Sequence, residues 1–293
     1  MARMLIVDGH AYAYRAFHAI RELRGPDGRP TNAIFGFIKM LSKMRANLAP
    51  SHVAVVWDGG LNAERMAALP GYKAQRPEMP ADLGAQLDTL QEYLSAAGLA
   101  SYCEDGVEAD DYIAALAREA VRAGLAVVIA SSDKDFMQLV GPGLGLLNPN
   151  DKTETIWGGE QVRAKSGVSP AQIVDWLSLM GDAVDNIPGV RGVGPKTAAE
   201  LMNDFGSVEA IYRRLAEVKS ARLREALAAA ESDVRRNQAL IRLKDALASP
   251  LDLDTFQPRA ADNATLAAIF RRCGFRSMLA EVEAAGGQGL LLA

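Results

Sequence analysis

Three short apolar runs stand out in the first half of the chain: MLIVDG (residues 4–9), HVAVVWDGG (52–60) and LAVVIASSD (125–133). Each is rich in β-branched residues and closed by aspartate, the pattern of a strand buried on both faces. Between them the apolar period becomes helical. In residues 31–48 it places Ile34, Phe37, Ile38, Leu41 and Met44 on one face, and 83–98 and 108–124 are further amphipathic stretches. Strands alternating with helices predict an α/β fold with a twisted, mostly parallel sheet flanked by helices. Two weaker strand patterns follow, GLGLLN (143–148) and TETIW (153–157). Beyond them the chain is mostly helical. SPAQIVDWLSLMG (169–181) opens on Ser-Pro, a good helix start, and IPGVRGVGPKTAAELMNDFGS (187–207) is broken by Gly and Pro before it turns helical. The predicted organisation is an α/β core over 1–168, a helical region over 169–285 and a frayed tail over 286–293.

Composition narrows the partners. The formal charge is −4, from 36 acidic against 32 basic residues, so any nucleic-acid surface must be a local patch. Two distant cysteines, Cys103 and Cys273, imply no disulfide framework and fit a reduced cytoplasm. The N-terminus reaches an acid too soon for a signal-peptide core, and no apolar stretch approaches a membrane span. A cytoplasmic protein with no membrane partner is expected.

The acids carry the chemistry. Ligands of an open parallel sheet bind beyond the carboxyl ends of its strands. Asp8, Asp58 and the pair Asp133/Asp135 close the three runs. Glu108, Asp110 and Asp111 open the helix feeding the third, and Asp182 and Asp185 follow the helix at 169–181. Singly, each has an ordinary reading: an Asp-Gly turn, a helix cap, or a first-turn acid favoured by the dipole. Together, nine carboxylates at one sheet edge would repel strongly unless divalent cations neutralised them. No Cys or His cluster accompanies them, so Mg²⁺ or Mn²⁺ suits the set better than zinc. Two such ions about 3.5–4 Å apart would clamp a phosphodiester.

Two further segments gain meaning beside such a site. Gly189, Gly192 and Gly194 permit a tight hairpin before Pro195, presenting backbone N–H groups to a phosphate, with Arg191 and Lys196 adding charge. Alone, this would be a plain connector. GYKAQRPEMP (71–80) would alone be a solvated loop. Its position between two acid-tipped strands makes Lys73 and Arg76 candidates for a lid or arch over the site.

MLIVDGHAYAYRAFHA, EADDYIAALA, SSDKDFMQLV and GDAVDNIPGVRGVGPKTAAELMNDFGSVEAIY together resemble the 5′-to-3′ exonuclease domain at the N-terminus of bacterial DNA polymerase I, within the flap-endonuclease family. The resemblance covers nearly the whole chain, to about residue 280. It implies a helical arch at about 67–90 and a helix-hairpin-helix at about 187–207 that holds duplex DNA. It assigns a first metal site to Asp8, Asp58, Glu108, Asp110 and Asp111, and a second to Asp133, Asp135, Asp182 and Asp185. Two Mg²⁺ ions are implied, with Mn²⁺ as substitute, and a K⁺ ion at the hairpin. Lys73 and Arg76 match arch residues that steer the scissile phosphate. Tyr14, Arg15, Arg65, Gly189, Arg191, Gly192, Gly194, Lys196 and Thr197 fall at DNA-contacting positions; the aromatics of the YRAF segment, Tyr14 and Phe17, stack beside an unpaired DNA end or pack in the core. Two departures stand out: WDGGLNAER where FDAKGPTFR is usual, and His10 where serine is usual.

The implied activity is a Mg²⁺-dependent, structure-specific 5′-to-3′ exonuclease and 5′-flap endonuclease of replication and repair. Its substrates would be DNA with 5′ flaps, nicks or 5′ ends, and RNA–DNA primers. The chain would act as a monomer, either free-standing or as part of a larger polymerase, with a DNA polymerase as partner. A PIN-type metal-dependent ribonuclease shares the acidic sheet edge, but the hairpin argues against it. A non-catalytic DNA-junction binder is disfavoured by the complete set of acids.

Overall fold

The apolar runs become neighbouring strands in the computed structural model, which describes residues 2–151, 153–245 and 252–290. β1 (Arg3–Asp8), β2 (His52–Val56), β3 (Ala100–Tyr102), β4 (Ala126–Ala130), β5 (Leu144–Leu147) and β6 (Ile156–Trp157) form one sheet in the order β3-β2-β1-β4-β5-β6. All neighbours pair in parallel except β6, which runs antiparallel to β5.

Alternate residues of the central strands enter two different cores. Met4, Ile6, Val56 and Ile129 face one side with Ile113, Leu177 and Leu240. Leu5, Val7, Val55 and Val128 face the other with Phe37, Leu90 and Ile269. Burial on both faces explains why these strands read as unbroken apolar runs. The first core is covered by helices Ala109–Arg122, Ile173–Met180, Pro195–Phe205 and Glu231–Ile241. The second is covered by Gly9–Ala19, Asn32–Leu48, Ala81–Ala96 and Asn263–Cys273. From β1 the chain winds outward through β2 to β3, then returns to β4 on β1's other side. The switch point therefore lies between β1 and β4, where Asp8 and the segment after Ala130 meet.

The segment expected as an arch, about 67–90, is helical only in part. Helix Ala63–Ala68 ends early, residues 69–80 are turn and irregular backbone, and helix Ala81–Ala96 packs Leu83, Leu90 and Leu94 fully into the core. Pro70, Pro77 and Pro80 remove donors and restrict their neighbours, and Lys73 sits at φ 55°, so no helix can run through this segment. The tail also differs: helix Arg276–Leu290 continues through residues 286–290, while 291–293 lie outside the described residues. β3 went unpredicted, being three residues with none buried and no apolar run.

The glycine hairpin is built by close backbone approach. A Cβ on Gly189 would stand 2.1 Å from Met180 O, and one on Gly181 would stand 2.4 Å from Gly189 N. Only glycine at both positions lets the hairpin lie against the end of helix Ile173–Met180. Val190 N then donates to Leu179 O at 2.8 Å, and Pro195 opens the next helix at its first position.

Candidate active site

Asp8 ends β1 and caps the following helix, its Oδ1 accepting from Ala11 N at 3.0 Å. Its Oδ2 accepts from the buried Ser131 hydroxyl at 2.7 Å, and that hydroxyl in turn accepts from Asp133 N at 3.0 Å. Ser131 thus joins the ends of β1 and β4. Asp133 caps the turn Lys134–Leu139 by accepting from Asp135 N at 2.8 Å.

Electrostatics draws further acids into the group. Burial raises the Asp8 carboxyl to about 6, and the charges of Asp133 and Asp58 push the same way. Burial also raises Asp110 well above the carboxylate range, with Asp133, Asp8 and Asp135 adding repulsion. Asp135 is raised by burial and then by Asp133. Asp133 is raised by burial against the opposing hydrogen bond from Asp135 N. The sequence-predicted acids of β1, the helix at 109–122 and the post-β4 turn therefore meet at the switch point.

Around this group stand basic side chains. Lys134 Nζ lies 2.6 Å from Asp182 Oδ2, and Arg76 Nη2 lies 2.6 Å from Asp185 Oδ1. The 71–76 turn is fastened to the same loop: Lys73 N donates to Asp185 O at 2.9 Å and Asn186 Nδ2 to Gly71 O at 2.8 Å. Lys73 is only 5% exposed, and its ammonium donates to Glu108 Oε2 at 2.9 Å. Asp110 and Glu108 hold it protonated against burial.

Two predicted ligands and one predicted DNA contact are placed elsewhere. Arg65, 4% exposed, donates to both Asp111 oxygens at 2.7 and 2.8 Å and to Glu108 Oε2 at 2.9 Å. It also donates to the carbonyls of Leu240 at 2.9 Å and Arg242 at 3.3 Å. All five guanidinium donors are engaged, so Arg65 has none for DNA. Asp111 Oδ1 accepts from Lys244 N as well. Glu108 Oε2 accepts from Arg65, Lys73 and Tyr72, and its Oε1 accepts from Asn62 N. Both carboxylates belong to a buried ion-pair network rather than to the open cluster.

His10 replaces the usual serine with a contact of its own. Its Nδ1 accepts from Asp58 N at 3.1 Å, and its ring meets Trp57 edge-on with centroids 5.4 Å apart. Burial lowers its pKa, which suits a neutral acceptor. Tyr14 is half-buried and stacks on His18, Phe17 packs against the second core, and Arg15 donates to Asn150. In the hairpin, Gly189, Arg191, Gly192, Gly194 and Lys196 are exposed and Thr197 is half-buried. Sequence reasoning missed Ser131, Lys134, Tyr72 and Asn186. The first two sit inside SSDKDF, next to the predicted acids Asp133 and Asp135.

The donor set fits hard divalent cations. Asp135 Oδ1 is buried with no hydrogen-bond partner, an exception that a bound ion would resolve. Among the described residues, no three His, Cys, Asp or Glu side chains are grouped closely enough, as they stand, to hold a metal ion. Among the described residues, too, no helix is long and apolar enough to cross a membrane.

Residues 3–167 match the 5′-3′ exonuclease, N-terminal resolvase-like domain, and residues 168–264 match the 5′-3′ exonuclease, C-terminal SAM fold. The chain belongs to the 5′-3′ exonuclease family. A 5′-3′ exonuclease of Aquifex aeolicus is 36% identical over 284 residues, covering 97% of this chain and 96% of that protein. DNA polymerase I of Bacillus caldotenax is 36% identical over 283 residues, covering 96% of this chain and 32% of that protein. The chain thus spans about a third of the polymerase relatives it matches. The fold is shared with a bacteriophage T5 flap endonuclease variant solved as a pseudo-enzyme–product complex with DNA and metal ions. That likeness has a TM-score of 0.67 at 22% identity, covering 96% of this chain and 99% of that one.

Proposed function

We propose that the chain is a Mg²⁺-dependent, structure-specific 5′ nuclease, acting as 5′-to-3′ exonuclease and 5′-flap endonuclease on DNA. The observation that carries this reading is the open carboxylate cluster at the switch point, with Asp135 Oδ1 buried and unpartnered. Asp8, Asp58 and Asp110 are assigned to one cation, and Asp133, Asp135, Asp182 and Asp185 to a second, with Mn²⁺ as substitute. The chemistry such cations supply when bound is Lewis acidity at the phosphate and a lowered pKa for water. Ser131 holds Asp8 and Asp133 in register by its two hydrogen bonds. Lys73, buried and protonated, presents a fixed positive charge beside Asp110, where little reorganisation is needed as charge develops on a phosphate. Arg76, half-exposed on Asp185, can turn to a phosphate at the rim.

The exposed hairpin from Gly189 to Thr197 supplies backbone N–H groups and the charges of Arg191 and Lys196 to a duplex arm, with K⁺ as a further occupant. Tyr14 and Arg15 flank the path of an unpaired 5′ end. The substrates are 5′ flaps, nicks, 5′ ends and RNA–DNA primers in replication and repair. The protein acts as a cytoplasmic, nucleoid-associated monomer in functional partnership with a DNA polymerase. Single-turnover cleavage of a 5′-flap duplex tests the reading. Cutting is expected with Mg²⁺ and lost in EDTA, while duplex binding in EDTA persists. Full cleavage in EDTA would overturn it.

A further inference from the structure

The acids and the hairpin lie on separate elements, and one helix grips both. We propose that helix Glu231–Ile241, with its continuation to Lys244, is a strut fixing the hairpin relative to the acids, with Asn237 and Arg65 as its positioning residues. The role in cleavage rests on the nuclease reading above; the mechanical link does not.

At the hairpin side, Asn237 is fully buried and uses both amide hydrogens. It donates to Ser178 O at 3.1 Å and Pro188 O at 2.7 Å, so it ties the end of helix Ile173–Met180 to the start of the hairpin. Gln238, the next residue, donates to Asp175 Oδ1 on that helix at 2.7 Å.

At the other end, the last carbonyls of a helix lack intrahelical donors. Here they are met by elements that carry the acids. Arg65 donates to Leu240 O and Arg242 O while holding Glu108 and Asp111. Lys244 N donates to Asp111 Oδ1 at 2.9 Å. Gln138 donates to Ile241 O at 3.1 Å and accepts from Leu243 N at 3.1 Å, and it belongs to the turn opened by Asp133 and Asp135. The strut end thus meets the helix start bearing Asp110 and the turn bearing Asp135. Neither Asn237 nor Arg65 is placed to touch substrate.

The test uses the full chain and two conservative lesions. Asn237→Ala leaves the Ser178 and Pro188 carbonyls without their amide donor at the hairpin end. Arg65→Lys keeps the charge but loses the planar fork. Each should slow single-turnover flap cleavage in Mg²⁺ by about 10-fold or more, the scale of a small misplacement of reacting groups. Duplex binding by Asn237→Ala in EDTA should stay within about threefold. The double variant should be no slower than the slower single, because both break one link; independent sites would multiply. Amide hydrogen exchange on the metal-free protein gives a readout that needs no activity. Asn237→Ala should raise exchange at 109–116 and 134–139, which it does not touch.

Multiplicative rates, or exchange confined to 178–190, would overturn the strut. Should Arg65→Lys fail to fold, Gln138→Met, which loosens only the strut end, takes its place in the same cycle. A wild-type chain that leaves the flap uncut would sink the nuclease reading, while the exchange pattern would still decide the strut.

Discussion

Asp110 and Asp111 are adjacent in sequence, yet their asparagine variants should move in opposite directions. Asp111 Oδ1 faces Arg65 Nη2 and Lys244 N, and its Oδ2 faces Arg65 Nη1. An amide in this place must point one N–H at another donor whichever way it turns. Arg65, 4% exposed, would keep only Glu108 as a charged partner. Removing one member of a buried pair costs about 3–5 kcal/mol, and Glu108 places this case near 3. For a chain of this size that is a fall in Tm of roughly 6 °C, at about 2 °C per kcal/mol. Asp110→Asn instead removes a half-buried carboxyl whose ionisation Asp133, Asp8 and Asp135 oppose, so the metal-free protein should melt higher. Its loss should also demand more Mg²⁺ for cleavage, whereas Asp111→Asn should leave the Mg²⁺ midpoint near wild type. Thermal melts in EDTA and Mg²⁺ titrations of single-turnover cleavage read both effects. If Asp111→Asn melts higher in EDTA and shifts the Mg²⁺ midpoint as Asp110→Asn does, Asp111 is a ligand and the network argument fails.

Lys73→Ala should slow single-turnover cleavage by about 10²–10³ while changing affinity in EDTA little, because a fixed charge at the reacting phosphate acts mainly on the transition state. Equal fractional losses in rate and affinity would make it an ordinary phosphate contact. Lys196→Ala should weaken duplex binding almost independently of sequence and reduce the salt slope by roughly one unit. An unchanged slope would move the duplex surface to other basic residues, such as Arg213 and Arg222.

The parallel sheet was legible because strands buried on both faces leave a conspicuous signal. β1, β2 and β4 each carry a buried apolar run, and the helix expected at 31–48 forms at Asn32–Leu48. β3 was not legible, since an edge strand of three residues needs no apolar run. The arch is a different case. Pro70, Gly71, Pro77 and Pro80 forbid a continuous helix there, so the helical part of the segment resumes only at Ala81.

The position of the site was legible for a topological reason: an apolar run closed by aspartate, once placed in a parallel sheet, puts that acid on a known edge. What spacing could not supply was the division of labour among nine acids. Adjacent helical residues point about 100° apart, so Asp110 and Asp111 cannot face the same space. The residue that claims Asp111 is Arg65, far away in sequence. A carboxylate cluster needs countercharge, and the protein supplies part of it: Arg65 and Lys73 to Glu108 and Asp111, Lys134 to Asp182, Arg76 to Asp185. Among the described residues, Asp8, Asp58, Asp110, Asp133 and Asp135 have no salt-bridge partner, and four of these five carry a carboxyl pushed upward by burial. Those five lack a direct ion pair, with Lys73 and Lys134 offsetting only part of the repulsion, and they are where bound cations would lower the energy most.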